Sequence, residues 1–213
     1  MKNSNKKYDW DKEYWGSRLQ KGQVDFTYDN WLDNYIELLN PLNTVKAIDL
    51  GCGIGLDTNF LLNEGCDVLS LDISQNALNE LKSKIPNATT MQFDMSNTFP
   101  FDNENFNLVV ANQSTHYYSQ EDTYRLYQEI NRILKSKGYF IGRVNSDKTI
   151  PDDVKKLIPV EPNFYIDKKN FRFFTEDDLY DLFSDWEIIL LQEAYTMRWG
   201  REKALWEFAV KKR

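Results

Sequence analysis

The amino-acid sequence predicts an α/β fold, a doubly wound, mainly parallel sheet with helices on both faces. Apolar, β-prone runs alternate with helix-length segments through most of the 213 residues, and that alternation builds parallel strands joined by crossover helices. The last two runs, about 186–191 and 205–210, have no helix-sized segment between them, which predicts an antiparallel hairpin at one edge. The third observation is a bend rich in glycine, Gly51, Gly53 and Gly55, between an apolar run and a helix start. Glycine is needed where φ is positive or where a ligand approaches the backbone. A strand, a glycine turn and a helix N-terminus form a cradle for nucleotide-like cofactors.

The elements follow in order. Residues 9–20 read as a helix carrying Trp10, Tyr14 and Trp15. Residues 28–39 place Tyr28, Trp31, Leu32, Tyr35 and Leu39 at helical spacing, and Asn40-Pro41 stops that helix. The first strand is 45–50, and the helix after the glycines ends at Glu64-Gly65. A second strand, 67–71, ends at Asp72, and Ser74 caps a helix reaching Lys84 before Pro86. A third strand, 89–93, ends at Asp94, and the fourth is 106–111. A helix over 120–135 and a Lys137-Gly138 turn lead into a fifth strand, 139–144. Residues 146–170 carry three prolines and read as an irregular insertion. Thr175 opens a helix to Phe183 with the look of a capping box, and a loop with Arg198, Trp199, Gly200 and Arg201 separates the last two strands.

Bulk properties narrow the function. Lys plus Arg is 26 against 33 Asp plus Glu, a net charge of −7, whereas proteins that grip nucleic-acid backbones carry a basic face. A nucleic-acid partner is therefore disfavoured. Cys52 and Cys66 are the two cysteines; they make no disulfide framework, and a reduced, cytoplasmic location is expected. Residues 1–7 are polar with no apolar core behind them, so no signal peptide is expected, and no apolar run is long enough to cross a bilayer. No His/Cys/Asp group has metal-ligand spacing, so no metal is expected. The sequence is silent on oligomeric state.

The glycine spacing selects among cofactors. A dinucleotide fingerprint, G-x-G-x-x-G, would place its third glycine at 56, where the chain has Leu56. Asp49, two residues before the first glycine, takes a place that is ordinarily apolar in a dinucleotide site. A carboxylate there suits a cofactor with a cationic end and no pyrophosphate. The stretch resembles motif I, [D/E]-x-G-x-G-x-G, of the class I S-adenosylmethionine (SAM)-dependent methyltransferases. The resemblance extends over most of the chain: the acids after strands two and three, the apolar strand four, the Lys-Gly turn and the terminal hairpin come in family order. It is strongest to the small-molecule branch with methyltransferase-11/25-like domains, a group that includes ubiquinone/menaquinone-type and tellurite- or thiopurine-type enzymes.

The resemblance implies a Rossmann-like seven-stranded sheet in the order 3-2-1-4-5-7-6 with strand seven antiparallel, and SAM as cofactor. It implies that Asp49, Gly51, Cys52, Gly53 and Gly55 surround the methionine end of SAM, with Asp49 facing its cationic head. Asp72, with Ile73 beside it, is positioned to accept both ribose hydroxyls. Asp94 accepts from the adenine amino group and Met95 lies against the ring. Asn112 opens the segment after strand four, which faces the transferred methyl.

Acceptor-side candidates are less sharply defined. His116, the single histidine, suits a general base by its ordinary pKa, although a structural role stands beside that reading. In-line methyl transfer gains much of its rate from alignment alone, up to about 7–11 kcal/mol, so a base is not obligatory. Trp15, Tyr117 and Arg172 are candidates for the substrate side. Tyr8, Trp10, Tyr14 and Trp15 read either as a lid over SAM and substrate or as a helix packed on the sheet. Arg143, Arg172, Arg198 and Arg201 are candidates for an anionic group of the substrate, with a solvated charge as the plainer reading of each.

The expected organisation is one methyltransferase domain over 1–213: a helical lid at 1–40, a SAM-binding core at 41–145, a substrate-side insertion at 146–174 and a C-terminal helix and hairpin at 175–213. The expected reaction is methyl transfer to an O, N, S or C nucleophile of a small molecule, releasing S-adenosylhomocysteine. The alternatives are a SAM-binding member without turnover and a protein or RNA methyltransferase; a nicotinamide-dependent oxidoreductase is disfavoured by Leu56 and Asp49.

Overall fold

The computed structural model describes residues 8–39, 45–198 and 201–213. A π-helical segment, Trp10–Gly16, runs into α1 (Ser17–Gln20), and a 3-10 turn, Trp31–Tyr35, runs into α2 (Ile36–Leu39). There follow β1 (Lys46–Leu50), α3 (Leu56–Asn63), β2 (Asp67–Asp72), α4 (Gln75–Lys84), β3 (Thr89–Gln92), β4 (Phe106–Asn112), α5 (Gln120–Ile133) and β5 (Leu134–Asn145). The remainder is α6 (Asp152–Lys155), a small hairpin of β6 (Phe164–Ile166) and β7 (Asn170–Arg172), α7 (Glu176–Leu182), β8 (Trp186–Arg198) and β9 (Arg201–Lys212).

The main sheet has the order β3-β2-β1-β4-β5-β9-β8. Its first five strands are parallel, and β9 runs antiparallel to both β5 and β8. With β6 and β7 set apart in their own hairpin, β8 and β9 are the sixth and seventh strands of the sheet, and the expected order holds.

Strand periodicity builds a core on each face. Along β4, Val109 and Ala111 join the cluster under α5, while Leu108 and Val110 join the one that contains Leu61 of α3 and Trp31, because successive side chains point to opposite faces. After β1 the chain leaves toward one face through α3, and after β4 it leaves toward the other through α5. That divergence opens a crevice beyond the carboxyl ends of the two central strands, where α/β sheets take their ligands.

Five element expectations are revised. Asn30 takes a left-handed conformation (φ 59°), so the second helix starts at Trp31; Tyr28 stands outside it and its hydroxyl accepts from the Leu32 N–H at 2.8 Å. The helix over 120–135 ends at Ile133 and β5 starts at Leu134. The Lys137-Gly138 turn becomes an irregularity inside that strand, since pairing with β4 steps from Phe106↔Leu134 to Leu108↔Tyr139. The terminal strands extend to Arg198 and from Arg201: polar residues read as loop pair instead, with Glu193 opposite Trp206 and Tyr195 opposite Ala204. Finally, the 146–170 insertion holds α6 and most of the β6–β7 hairpin. The Asn40-Pro41 stop, the loop residues Trp199 and Gly200, and the polar start 1–7 lie outside the described residues.

Candidate active site

The glycine bend is held from below. Gly51 and Cys52 N–H groups both donate to the Leu71 carbonyl, at 2.7 and 3.0 Å, which ties the bend to the end of β2. The three glycines have φ of 74°, 54° and 88°, a region costly to any residue with a Cβ. Their surroundings differ. A Cβ on Gly51 would fall 2.3 Å from Ser114 Cβ, and one on Gly53 would fall 2.8 Å from Trp15 Cζ2, so both face neighbours at the crevice. A Cβ on Gly55 would meet Leu81 of α4 at 2.6 Å. The third glycine therefore serves helix packing.

Asp72 closes the bend from the side. Its Oδ2 accepts from the Gly53 N–H at 2.9 Å and its Oδ1 from the Ser74 N–H at 2.8 Å. The Ile73 N–H is a third backbone donor to this carboxyl, and the residue lines the crevice. Burial pushes its carboxyl above the ordinary value, against the pull of those backbone donors.

Asp49 and Asp57 lie beneath. Asp49 is 1% exposed and does not line the crevice among its described residues. Its Oδ2 accepts from the Thr58 hydroxyl at 2.6 Å, and Thr58 in turn shares a hydrogen bond with Ser70. Burial first, then the charges of Asp57 and Asp72, hold its carboxyl well above the usual carboxylate range. Asp57 lines the crevice and accepts from Trp31 Nε1 at 2.8 Å; burial raises it too, against hydrogen bonds from Trp31 and Asn112 and the charge of Arg143. Asp57 went unnoticed in the sequence, although an acid in the first turn after a glycine bend was a visible signal.

The crevice encloses about 1190 Å³. Gly51, Cys52, Gly53, Ile73, Asp94, Met95, Asn112 and Tyr117 line it together with Asp72. Asp94 accepts from the Ser96 N–H and hydroxyl at 3.0 and 2.8 Å. The Cys52 thiol is free, and burial with the charge of Asp49 pushes its pKa well up, so it is not a neutral-pH thiolate.

Trp10, Tyr14 and Trp15 bring the N-terminal helix onto this crevice. Asp11 pins that helix in place: its Oδ1 accepts from the Ser74 hydroxyl at 2.7 Å and the Asn76 N–H at 2.8 Å. Nothing in the local sequence pointed to Asp11, because its partners lie more than sixty residues along the chain.

Three candidates are engaged elsewhere. His116 is 2% exposed, stands off the crevice lining and packs 4.4 Å from the Tyr117 ring; its carbonyl accepts from the Arg172 N–H at 2.9 Å. Arg172 is also buried and off the lining. It pairs with Glu161, donates from Nε to the Tyr118 carbonyl at 2.9 Å and lies over the Phe164 ring. Arg143 lines the crevice, but its guanidinium donates to Asp29 at 2.7 Å and to Asn112 at 3.0 Å. The side chains of Arg198 and Arg201 lie outside the described ones. Among the described residues no cluster of His, Cys, Asp or Glu is arranged to hold a metal ion, and no helix is long and apolar enough to cross a membrane.

The sheet order, the glycine bend against β2 and the acid at the end of β2 define a class I SAM-dependent methyltransferase fold. Comparison with known proteins agrees. Residues 48–142 match the model of a methyltransferase domain family. An uncharacterised methyltransferase of Synechocystis sp. is 33% identical over 95 residues, 45% of this chain and 44% of that protein. A magnesium-protoporphyrin O-methyltransferase of Rhodobacter capsulatus is 30% identical over 101 residues, 46% and 45% of the two chains. The chain thus spans less than half the length of these two curated relatives. A SAM-dependent methyltransferase structure from Methanosarcina mazei superposes with a TM-score of 0.73 at 17% identity, covering 83% of this chain and 96% of that one. Residues 48–142 thus match a methyltransferase domain, carried on the fold of SAM-dependent methyltransferase structures.

Proposed function

We propose that this protein transfers a methyl group from SAM to an O, N, S or C nucleophile of a small-molecule acceptor, releasing S-adenosylhomocysteine. One observation carries the reading: the glycine bend, Asp72 and Asp94 open on the same crevice that is walled by Trp10, Tyr14 and Trp15.

The residues fit the cofactor chemically. Gly51 and Gly53 line the crevice with Ser114 and Trp15 packed where their side chains would stand, and Asp72 is a carboxylate with accepting capacity left over. When bound, SAM supplies a methyl group activated by a positively charged sulfur. The chain's own residues would do the rest. Asp72 takes the ribose hydroxyls, Asp94 and Met95 take the adenine, and Asn112 and Tyr117 border the acceptor. Burial raises the carboxyls of Asp57 and Asp72 at the crevice, and a cationic ligand there would favour their charged forms. The aromatic wall excludes water and attracts positive charge to its ring faces, about 0.5–2 kcal/mol for a well-placed ring. Alignment of acceptor and methyl supplies the rate, so the reading assigns His116 no proton transfer. An acceptor of small size fits an acidic chain with a walled crevice.

The test is a thermal-shift series with SAM, S-adenosylhomocysteine and NAD, followed by turnover of methyl-labelled SAM with a panel of small acceptors. SAM and S-adenosylhomocysteine should raise Tm and NAD should not. A shift with NAD alone would overturn the cofactor assignment. Binding of SAM without methyl transfer to any acceptor class would favour a binding module.

A further inference from the structure

Four aromatic rings surround the ammonium of Lys169. Its Nζ lies 5.4 Å from the Trp10 ring centre, 5.5 Å from Tyr14, 5.7 Å from Tyr117 and 5.1 Å from Phe171. The rings come from three parts of the chain: the N-terminal π-helical segment, the segment after β4, and β7. Several ring faces turned on one point make a site for an alkylammonium group. Trp10, Tyr14, Tyr117 and Lys169 all line the crevice, so the box opens where an acceptor would lie.

The box is built without help from the lysine. Trp10 packs edge-on against Tyr8 at 4.8 Å, Tyr14 at 5.5 Å and Tyr117 at 4.6 Å, and Asp11 fixes the helix that carries Trp10 and Tyr14. Lys169 itself sits at the tip of the β6–β7 hairpin, whose strands are three residues each. A turn bond from the Asp167 N–H to the Lys169 carbonyl closes that tip. Lys169 can leave by a change in this short turn while the main sheet stays intact. Glu13 and Asp167 line the crevice beside Arg18 and Lys168, and Arg18 lies over the Tyr14 ring at 5.2 Å, so the charges there are mixed and the rings carry the preference for a cation.

We propose that the box is the acceptor's cation subsite. It takes an alkylammonium group of a small-molecule acceptor, and Lys169 is its internal, displaceable occupant. This rests on the methyltransferase reading of the crevice. The ammonium anchors the acceptor, and methyl is received at another atom of the same molecule, because a protonated amine has no lone pair with which to attack.

The experiment compares choline with 3,3-dimethyl-1-butanol, its neutral isostere, by tryptophan fluorescence and calorimetry. Both are titrated into the wild-type protein and into Lys169→Met. Wild type should bind choline in preference to the isostere. Lys169→Met should bind choline about tenfold more tightly than wild type does, with the isostere unchanged, and Trp10→Leu on that background should remove the gain. Equal, weak binding of both probes to both proteins overturns the proposal; should Lys169→Met fail to fold, equal binding to wild type alone does so. S-adenosylhomocysteine affinity is measured on the same samples. If it persists while choline shows no preference, the cation subsite alone is lost; if wild type does not bind it, the cofactor reading fails instead.

Discussion

The Asp11 carboxylate accepts a hydrogen bond from the Ser74 hydroxyl at 2.7 Å, across 63 residues of chain. Ser74 is also the N-cap of α4, its Oγ accepting from the Ala77 N–H. One hydroxyl thus serves the helix that follows Asp72 and the helix that borders the crevice. Hydrogen bonds from Asn76 and Ser74 hold the Asp11 carboxyl below its ordinary pKa. A depressed value means that the docking is fully present above the usual carboxylate range and is lost as pH falls through the lowered value. Asp11→Ala should cost about 1 kcal/mol of stability and expose residues 8–20 to protease at neutral pH. Unchanged protection of that segment would contradict the pinning role.

Gly53 and Gly55 are separable by substitution. Alanine at either adopts a positive φ at about 1–2 kcal/mol. At Gly53 the new methyl strikes Trp15 and at Gly55 it strikes Leu81. Gly53→Ala should weaken SAM binding by calorimetry more than tenfold for a modest loss in Tm. Gly55→Ala should lower Tm more, with any protein that remains folded still binding SAM.

Asp72→Ala should weaken SAM binding by about 10–100-fold, the worth of one charge-assisted hydrogen bond at about 1.5–3 kcal/mol. Calorimetry on a variant shown folded by circular dichroism measures it. An affinity equal to wild type would remove the ribose role.

Asp49 offers a pH test. Its carboxyl is held above its ordinary value by burial and by neighbouring acids. A raised native pKa stabilises the fold below the ordinary carboxylate pKa, and that stabilisation disappears as pH rises through the elevated value. Asp49→Asn, permanently neutral, should therefore melt above wild type at pH 7–8, and the gap should close toward pH 4. A gap independent of pH would mean that the carboxyl is not strained by its surroundings.

Arg172→Ala should lower stability by about 2 kcal/mol, since it removes a buried guanidinium that staples Glu161 and the Tyr118 carbonyl. SAM affinity should stay within twofold of wild type. A loss of acceptor binding with no change in Tm would return Arg172 to the substrate side.

Most of the main sheet was legible in the sequence because its central strands are buried on both faces and α4 and α5 are amphipathic. The central strands read as continuous apolar runs, and Ser74 and Thr175 announce helix starts that the structure makes with side-chain caps. The hairpin tip beyond Leu191 was not legible, since its residues are polar and their only reason to be extended is the partner strand. The burial of Arg172 and His116 was not legible for a similar reason. In the sequence an arginine and a histidine carry no mark of burial, which for Arg172 depends on Glu161 and Phe164 packing against it.

By itself the sequence determined the α/β alternation, the glycine bend and the acids at the strand ends, because these follow from local backbone demands and from periodicity along one stretch of chain. Only the tertiary structure decided that Asp49 lies under the bend, that Asp11 holds the N-terminal helix and that four rings converge on Lys169. Those are relations between residues brought together by chain packing, and burial, partner and distance are properties that a residue acquires only from its neighbours in space.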